Sequence, residues 1–123
     1  MSTVEQVEEN TSVMASFHPL TEEETQVLKT AAEIIRSAVA IPCTGCSYCT
    51  EGCPAGIPIP QYFALYNERK RDGWQVNTED RYRSLLDQYA PAKNCISCGS
   101  CQQNCPQKLG IPQFLKQVSD VFD

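Results

Sequence analysis

Apolar positions in this chain recur at intervals of three and four residues, the signature of helices with one buried face. Val27, Leu28, Ala31, Ile34, Ile35 and Ala38 form one such stripe. Thr21-Glu22-Glu23-Glu24 precedes it and reads as a capping box, with Thr21 as N-cap and Glu24 at N3. Pro42 predicts the stop. A second helix starts at Pro60, where a missing N–H costs little, turns Tyr62, Leu65 and Tyr66 inward, and ends at Gly73. Thr78 caps a third, carrying Tyr82, Leu85, Leu86 and Tyr89; the last starts near Pro112 and presents Phe114, Leu115, Val118, Val121 and Phe122. Ser2 to Glu5 forms a further capping box at the N-terminus. No segment alternates with the period of two that a half-buried strand requires, so the expected fold class is all-α.

The second half repeats the first at an offset of 52 residues. Cys43-x2-Cys46-x2-Cys49-x3-Cys53-Pro54 returns as Cys95-x2-Cys98-x2-Cys101-x3-Cys105-Pro106, and Ile59-Pro60-Gln61 returns as Ile111-Pro112-Gln113. Each copy follows a helical pattern, so the unit is helix, cysteine loop, helix, used twice with pseudo-twofold symmetry. All 8 cysteines belong to the two runs.

That spacing carries chemistry. A cubane [4Fe-4S] cluster needs one thiolate at each of four irons. Three cysteines spaced by three residues turn their sulfurs into one concavity, and the fourth must come from elsewhere. The following proline disfavours the α region for Cys53 and Cys105, so each sits where the chain turns away from its own loop. The pattern is that of bacterial-type [4Fe-4S] proteins, in which the fourth cysteine of each run ligates the other cluster. The expected ligand sets are therefore Cys43, Cys46, Cys49 and Cys105 for one cluster, and Cys95, Cys98, Cys101 and Cys53 for the other. Structural zinc fits less well, because its usual spacing is two separated C-x2-C pairs. Disulfides need an oxidising compartment, and residues 1–10 lack a basic segment followed by an apolar run. A reducing, cytoplasmic location is the expectation. The 41 residues between Cys53 and Cys95 hold two helices, which favours a helical dicluster ferredoxin over the small βαβ-type.

Length and charge refine this picture. A chain of 123 residues suits one domain with a modest core, so metal ligation supplies much of the folding free energy. The formal charge of −5 becomes roughly −9 once eight thiolates and two 2+ cores are counted. Such a surface disfavours nucleic acid and anionic membranes and suits a basic patch on a redox partner. No stretch approaches the ~18 apolar residues of a membrane span.

Ile41-Pro42-Cys43-Thr44-Gly45-Cys46-Ser47-Tyr48-Cys49, Ile59-Pro60, Leu65-Tyr66-Asn67 and Cys105-Pro106-Gln107 together resemble the C-terminal ferredoxin-like domain of iron–sulfur aldo/keto reductases. The resemblance covers nearly the whole chain. It implies a (β/α)8 barrel holding a nicotinamide cofactor, NAD(P)H, ahead of an α-helical dicluster domain. Ser2-Thr3-Val4-Glu5-Gln6-Val7-Glu8-Glu9-Asn10 resembles the last helix of such a barrel, where Ser2, Glu9 and Asn10 match residues near the adenosine end of the cofactor. Gln6 departs from the arginine often found between them, so a preference for the 2′-phosphate is not implied. The resemblance divides the chain into residues 1–18, barrel helix and linker, and residues 19–123, the dicluster domain. The family's catalytic Asp, Tyr, Lys and His have no counterparts here, and no catalytic residue is assigned.

Remaining residues invite plainer readings. Tyr48, between two ligands, is expected to shield its cluster from water. Gly45, Gly52 and Gly99 relieve tight loops and let backbone N–H groups approach sulfur. His18 reads as solvated or packed, Arg69, Lys70 and Arg71 as complements to a helix dipole, and Trp74 as a core or interdomain anchor. Three uses stay open: an electron-transfer domain of a larger oxidoreductase, a free-standing ferredoxin or small electron-transfer subunit, and a structural or oxygen-sensing cluster domain.

Overall fold

The computed structural model describes residues 1–73 and 77–123. Six α-helices follow in order: α1 (Val4–Ala15), α2 (Glu22–Ser37), α3 (Ile59–Asp72), α4 (Thr78–Leu86), α5 (Ser100–Gln103) and α6 (Ile111–Phe122). A 3-10 turn, Ala92–Asn94, leads into the second cysteine run. Among the described residues there is no strand, and the fold is all-α. Trp74 lies outside the described residues.

Two compact units divide the chain, Met1–Ile34 and Ile35–Asp123. In the first, the capping box of α2 forms in full. Glu24 N–H donates to Thr21 Oγ1 at 3.2 Å, and Thr21 N–H donates to Glu24 Oε2 at 2.9 Å. At α1 the N-cap is Thr3 instead of Ser2; its Oγ1 accepts from Gln6 N–H at 3.3 Å, one residue along from the expected box. The apolar stripe of α2 is not a core. Val27, Leu28 and Ile34 are each more than half exposed. A helix buries such a stripe only against a second packed layer, and α1 does not pack closely on α2. The helix also ends at Ser37, five residues short of Pro42.

The second unit holds the hydrophobic core. Here α3 packs on α4 and α6, and Ile59, Tyr62, Phe63, Leu65 and Tyr66 of α3 are buried with Ile111, Leu115 and Val118 of α6. Rings fill the join: Phe63 meets Phe114 edge-on at 5.9 Å, and Tyr82 lies between Tyr62 at 4.5 Å and Phe122 at 4.8 Å. The proline near each helix start and Gly73 at the end of α3 fall where helix chemistry places them. Asn77 caps α4, so Thr78 is its first residue and is fully buried. Because α4 stops at Leu86, Leu86 and Tyr89 reach the surface instead of extending the core. The basic run closing α3 is spent locally: Arg69 pairs with Glu79 at 3.6 Å, Arg71 with Asp72, and Lys70 lies over the Tyr66 ring.

Candidate metal centre

Backbone conformation in the two cysteine loops follows the 52-residue offset. Gly45 and Ser47 have φ of 73° and 66°, and the matching Ser97 and Gly99 have 55° and 78°. Lys108 and Gly56 form a third such pair, at 54° and 67°. Each pair places a glycine in one copy and a strained residue in the other. A Cβ at Gly45 or Gly99 would meet nothing within 4 Å, so the left-handed backbone, not space, calls for glycine there. Left-handed residues set among right-handed ones turn successive N–H groups toward one side, which makes a concavity that favours negative charge. Gly52 is different: its φ is not left-handed, and an added Cβ would come within 3.2 Å of the Asn104 side chain, its own counterpart in the second copy.

These loops gather the thiols into two sets. Cys43, Cys46, Cys49 and Cys105 line one concavity. Cys53, Cys95, Cys98 and Cys101 line another. Each set takes three cysteines from one run and the fourth from the other. Between the two lies Ile59, fully buried at the start of α3, which lines both. The starts of α3 and α6 each contribute a proline to the wall, so both helices bring the positive end of their dipole toward a thiol set.

Burial is graded in the same order in both copies. The second cysteines, Cys46 and Cys98, are exposed, the first are half-buried, and the third, Cys49 and Cys101, are both 6% exposed. Burial pushes the Cys49 thiol up, and the nearby Cys43 and Cys46 add to it. Cys101 rises to about 11, again mainly through burial, with Cys95, Cys53 and Cys49 adding charge repulsion. In the metal-free chain both stay protonated, and iron binding must displace those protons. No group of three or more His, Cys, Asp or Glu among the described residues is set for a single metal ion. A cubane asks for wider spacing, since each thiolate binds a different iron. Four thiols set among apolar walls fit that cluster.

Side chains on the neighbouring helices fix the loops. Asn67 of α3 accepts from Ile41 N–H at 2.7 Å and donates to the Ile41 carbonyl at 2.8 Å, clamping the approach to Cys43. The approach to Cys95 is held differently. Asp123 accepts from Lys93 N–H at 2.8 Å and from the Tyr82 hydroxyl at 3.0 Å, and Tyr82 accepts from Ala92 N–H at 2.9 Å.

Other expected residues fall elsewhere. Ser2, Glu9 and Asn10 are exposed in the first unit, where Ser2 N–H donates to Gln6 Oε1 at 2.7 Å. His18 is exposed, its Nδ1 2.6 Å from the Ser16 carbonyl. Tyr48 does not shield a thiol set: it is 64% exposed and lines neither concavity. Phe63 supplies the aromatic wall instead, from one turn into α3. Its position beside Tyr62 at a helix start carried the signal, but the direction of a side chain follows from packing as well as period.

Residues 42–109 match the family model described as a 4Fe-4S dicluster domain, more than half of the chain. Neither the curated proteins nor the solved structures give a match.

Proposed function

The chain belongs to the 4Fe-4S dicluster domain family and is an iron–sulfur electron-transfer domain, and from that premise we propose that it holds two [4Fe-4S] clusters with crossed ligation. Cys43, Cys46, Cys49 and Cys105 bind one; Cys95, Cys98, Cys101 and Cys53 bind the other. The observation that supports this is the division of eight thiols into two walled sets of four, each borrowing its fourth member from the other repeat. A cluster of this kind supplies one-electron transfer when bound. The protein holds it by thiolates, limits water with Ile59, Phe63 and Leu115, and offers N–H groups and helix ends to its negative charge. Cys46 and Cys98, exposed at one edge of each set, give electrons a short way in or out, while buried Cys49 and Cys101 are the adjoining ligands.

From the residue resemblance alone, we further propose that this chain is the C-terminal part of an aldo/keto reductase-like oxidoreductase. Electrons pass between an external redox protein and a covalently linked barrel using NAD(P)H, in a reducing, cytoplasmic setting. Residues 1–18 then belong to the last barrel helix and linker, with Ser2, Glu9 and Asn10 near the adenosine end of the cofactor, and residues 19–123 to the dicluster domain. The residue resemblance in both segments supports this; no helix among the described residues is long and apolar enough to cross a membrane.

The test is anaerobic purification with iron, sulfide and zinc counted per chain, and spectra taken before and after dithionite. About eight iron and eight sulfide, with visible absorbance that bleaches on reduction, is the expected result. Zinc without sulfide would refute it.

A further inference from the structure

The 52-residue offset sets Ile41 against Lys93, each two positions ahead of the first cysteine of its run. Both backbone N–H groups are held by a side-chain oxygen from the helix that follows the same run. Ile41 N–H donates to Asn67 Oδ1 of α3 at 2.7 Å, and Lys93 N–H donates to Asp123 Oδ2 at the end of α6 at 2.8 Å. The residue matching Asn67 is Ser119, but Asp123, one turn further along, makes the bond. The Asp123 N–H donates to the Ser119 carbonyl at 3.0 Å, which fixes where its carboxylate starts from.

In the second copy the hold is wider. Asp123 Oδ1 also accepts from the Tyr82 hydroxyl at 3.0 Å, and that hydroxyl accepts from Ala92 N–H at 2.9 Å. Ala92 and Lys93 open the 3-10 turn before Cys95, where N–H groups lack partners within the turn. Tyr82 is buried, with its ring set between Tyr62 and Phe122. Each hold passes directly to a cysteine. Cys43 N–H donates to the Ile41 carbonyl at 2.8 Å, and Cys95 N–H donates to the Ala92 carbonyl at 3.1 Å.

Resting on the two-cluster reading, we infer that Asp123 and Tyr82 are positioning residues for the cluster of Cys95, Cys98, Cys101 and Cys53. Asn67 does the same for the cluster of Cys43, Cys46, Cys49 and Cys105, so each cluster has its own latch and is lost separately. The two latches share no residue: one is an amide of α3, the other a carboxylate after α6 joined to a phenol of α4. Two features work against independence. The Tyr62 ring of α3 touches Tyr82, but that contact lies in the core and involves neither latch oxygen. Cys53 leaves with the second cluster although it belongs to the first run. It sits at the far end of that run, however, while Asn67 acts ahead of Cys43.

The test is a thiol footprint on the cluster-loaded chain, kept without oxygen in an iron chelator. Freed cysteines are alkylated with iodoacetamide and located by mass spectrometry. Asp123→Ala is expected to speed labelling of Cys95, Cys98, Cys101 and Cys53 about tenfold and to leave the other four at the wild-type rate. Asn67→Ala gives the reverse pattern. Tyr82→Phe keeps the ring stack, removes only the hydroxyl, and also speeds the second set. Asp123→Asn keeps an acceptor for Lys93 N–H, as Asn67 is for Ile41, and restores the wild-type rate. Failure of that rescue, or equal acceleration of all eight cysteines in both D123A and N67A, overturns the inference while leaving the two-cluster reading intact. If D123A frees Cys105 instead of Cys53 along with Cys95, Cys98 and Cys101, the latch is supported and crossed ligation is overturned. A chain that takes up no iron and sulfide overturns both.

Discussion

Replacing Asn67 by Ala removes both bonds that hold Ile41 ahead of the first cysteine. Ile41 is 0% exposed, so its N–H and carbonyl lose their partners at a site with little water. An unsatisfied buried backbone group costs about 1–3 kcal/mol. Because Asn67 itself is half-buried, water entering behind the shorter side chain recovers part of the loss for the two groups. The net is about 2–3 kcal/mol, or about 30- to 150-fold in the local opening equilibrium. Hydrogen exchange followed by mass spectrometry, on cluster-loaded protein, reads this directly. Peptides spanning Ile41 should exchange faster by that factor, while those over Ala92 and Lys93 stay as they were, being held by Tyr82 and Asp123 instead. Gln117→Ala serves as the control, since its bond from the Tyr66 hydroxyl is long at 3.4 Å. Equal exchange around Ile41 in wild type and N67A would refute the clamp.

Further outcomes follow from strain, titration and metal. Ser47→Gly and Ser97→Gly relieve left-handed residues and should each stabilise the chain by about 1 kcal/mol, seen as slower cluster loss in denaturant, whereas Gly45→Ala should speed it. Burial raises the Tyr62 phenol to about 12 and pushes Tyr82 up further, so their neutral forms stabilise the fold fully below pH 10. That contribution falls as pH climbs from 10 through about 12, with phenolate absorbance rising alongside unfolding. Stripping iron with a chelator should collapse the helical circular dichroism of the chain; retention of the full signal would show that the core suffices without metal.

Much of the fold is legible in the sequence because its signals are local. The helix starts at Pro60 and Pro112, the Thr21–Glu24 box and the stop at Gly73 are each decided within a turn of chain. The cysteine spacing, likewise, points to two groups of four without any geometry. What escapes is decided by packing between distant elements. Asn67 looks like an ordinary helix residue until Ile41, 26 positions away, is set against it. Tyr48 and Phe63 are both aromatic near a cysteine loop, and only the packing of α3 on α6 separates the exposed ring from the wall. The stripe on α2 has the right period for a core and is exposed, because period describes one face and says nothing of the surface that should cover it. Ser47 and Ser97 give no hint of positive φ on their own; the repeat offers one, since a glycine occupies each matching position.

Crossed ligation is the central claim, and paired cysteine variants test it most directly. Cys46→Ala with Cys105→Ala removes two thiols from one set and should leave one intact [4Fe-4S] cluster, about four iron per chain. Cys46→Ala with Cys53→Ala takes one thiol from each set and should leave no intact four-iron cluster. The reverse result, an intact cluster in C46A/C53A and none in C46A/C105A, would mean that each run of cysteines binds its own cluster and that the ligation is not crossed.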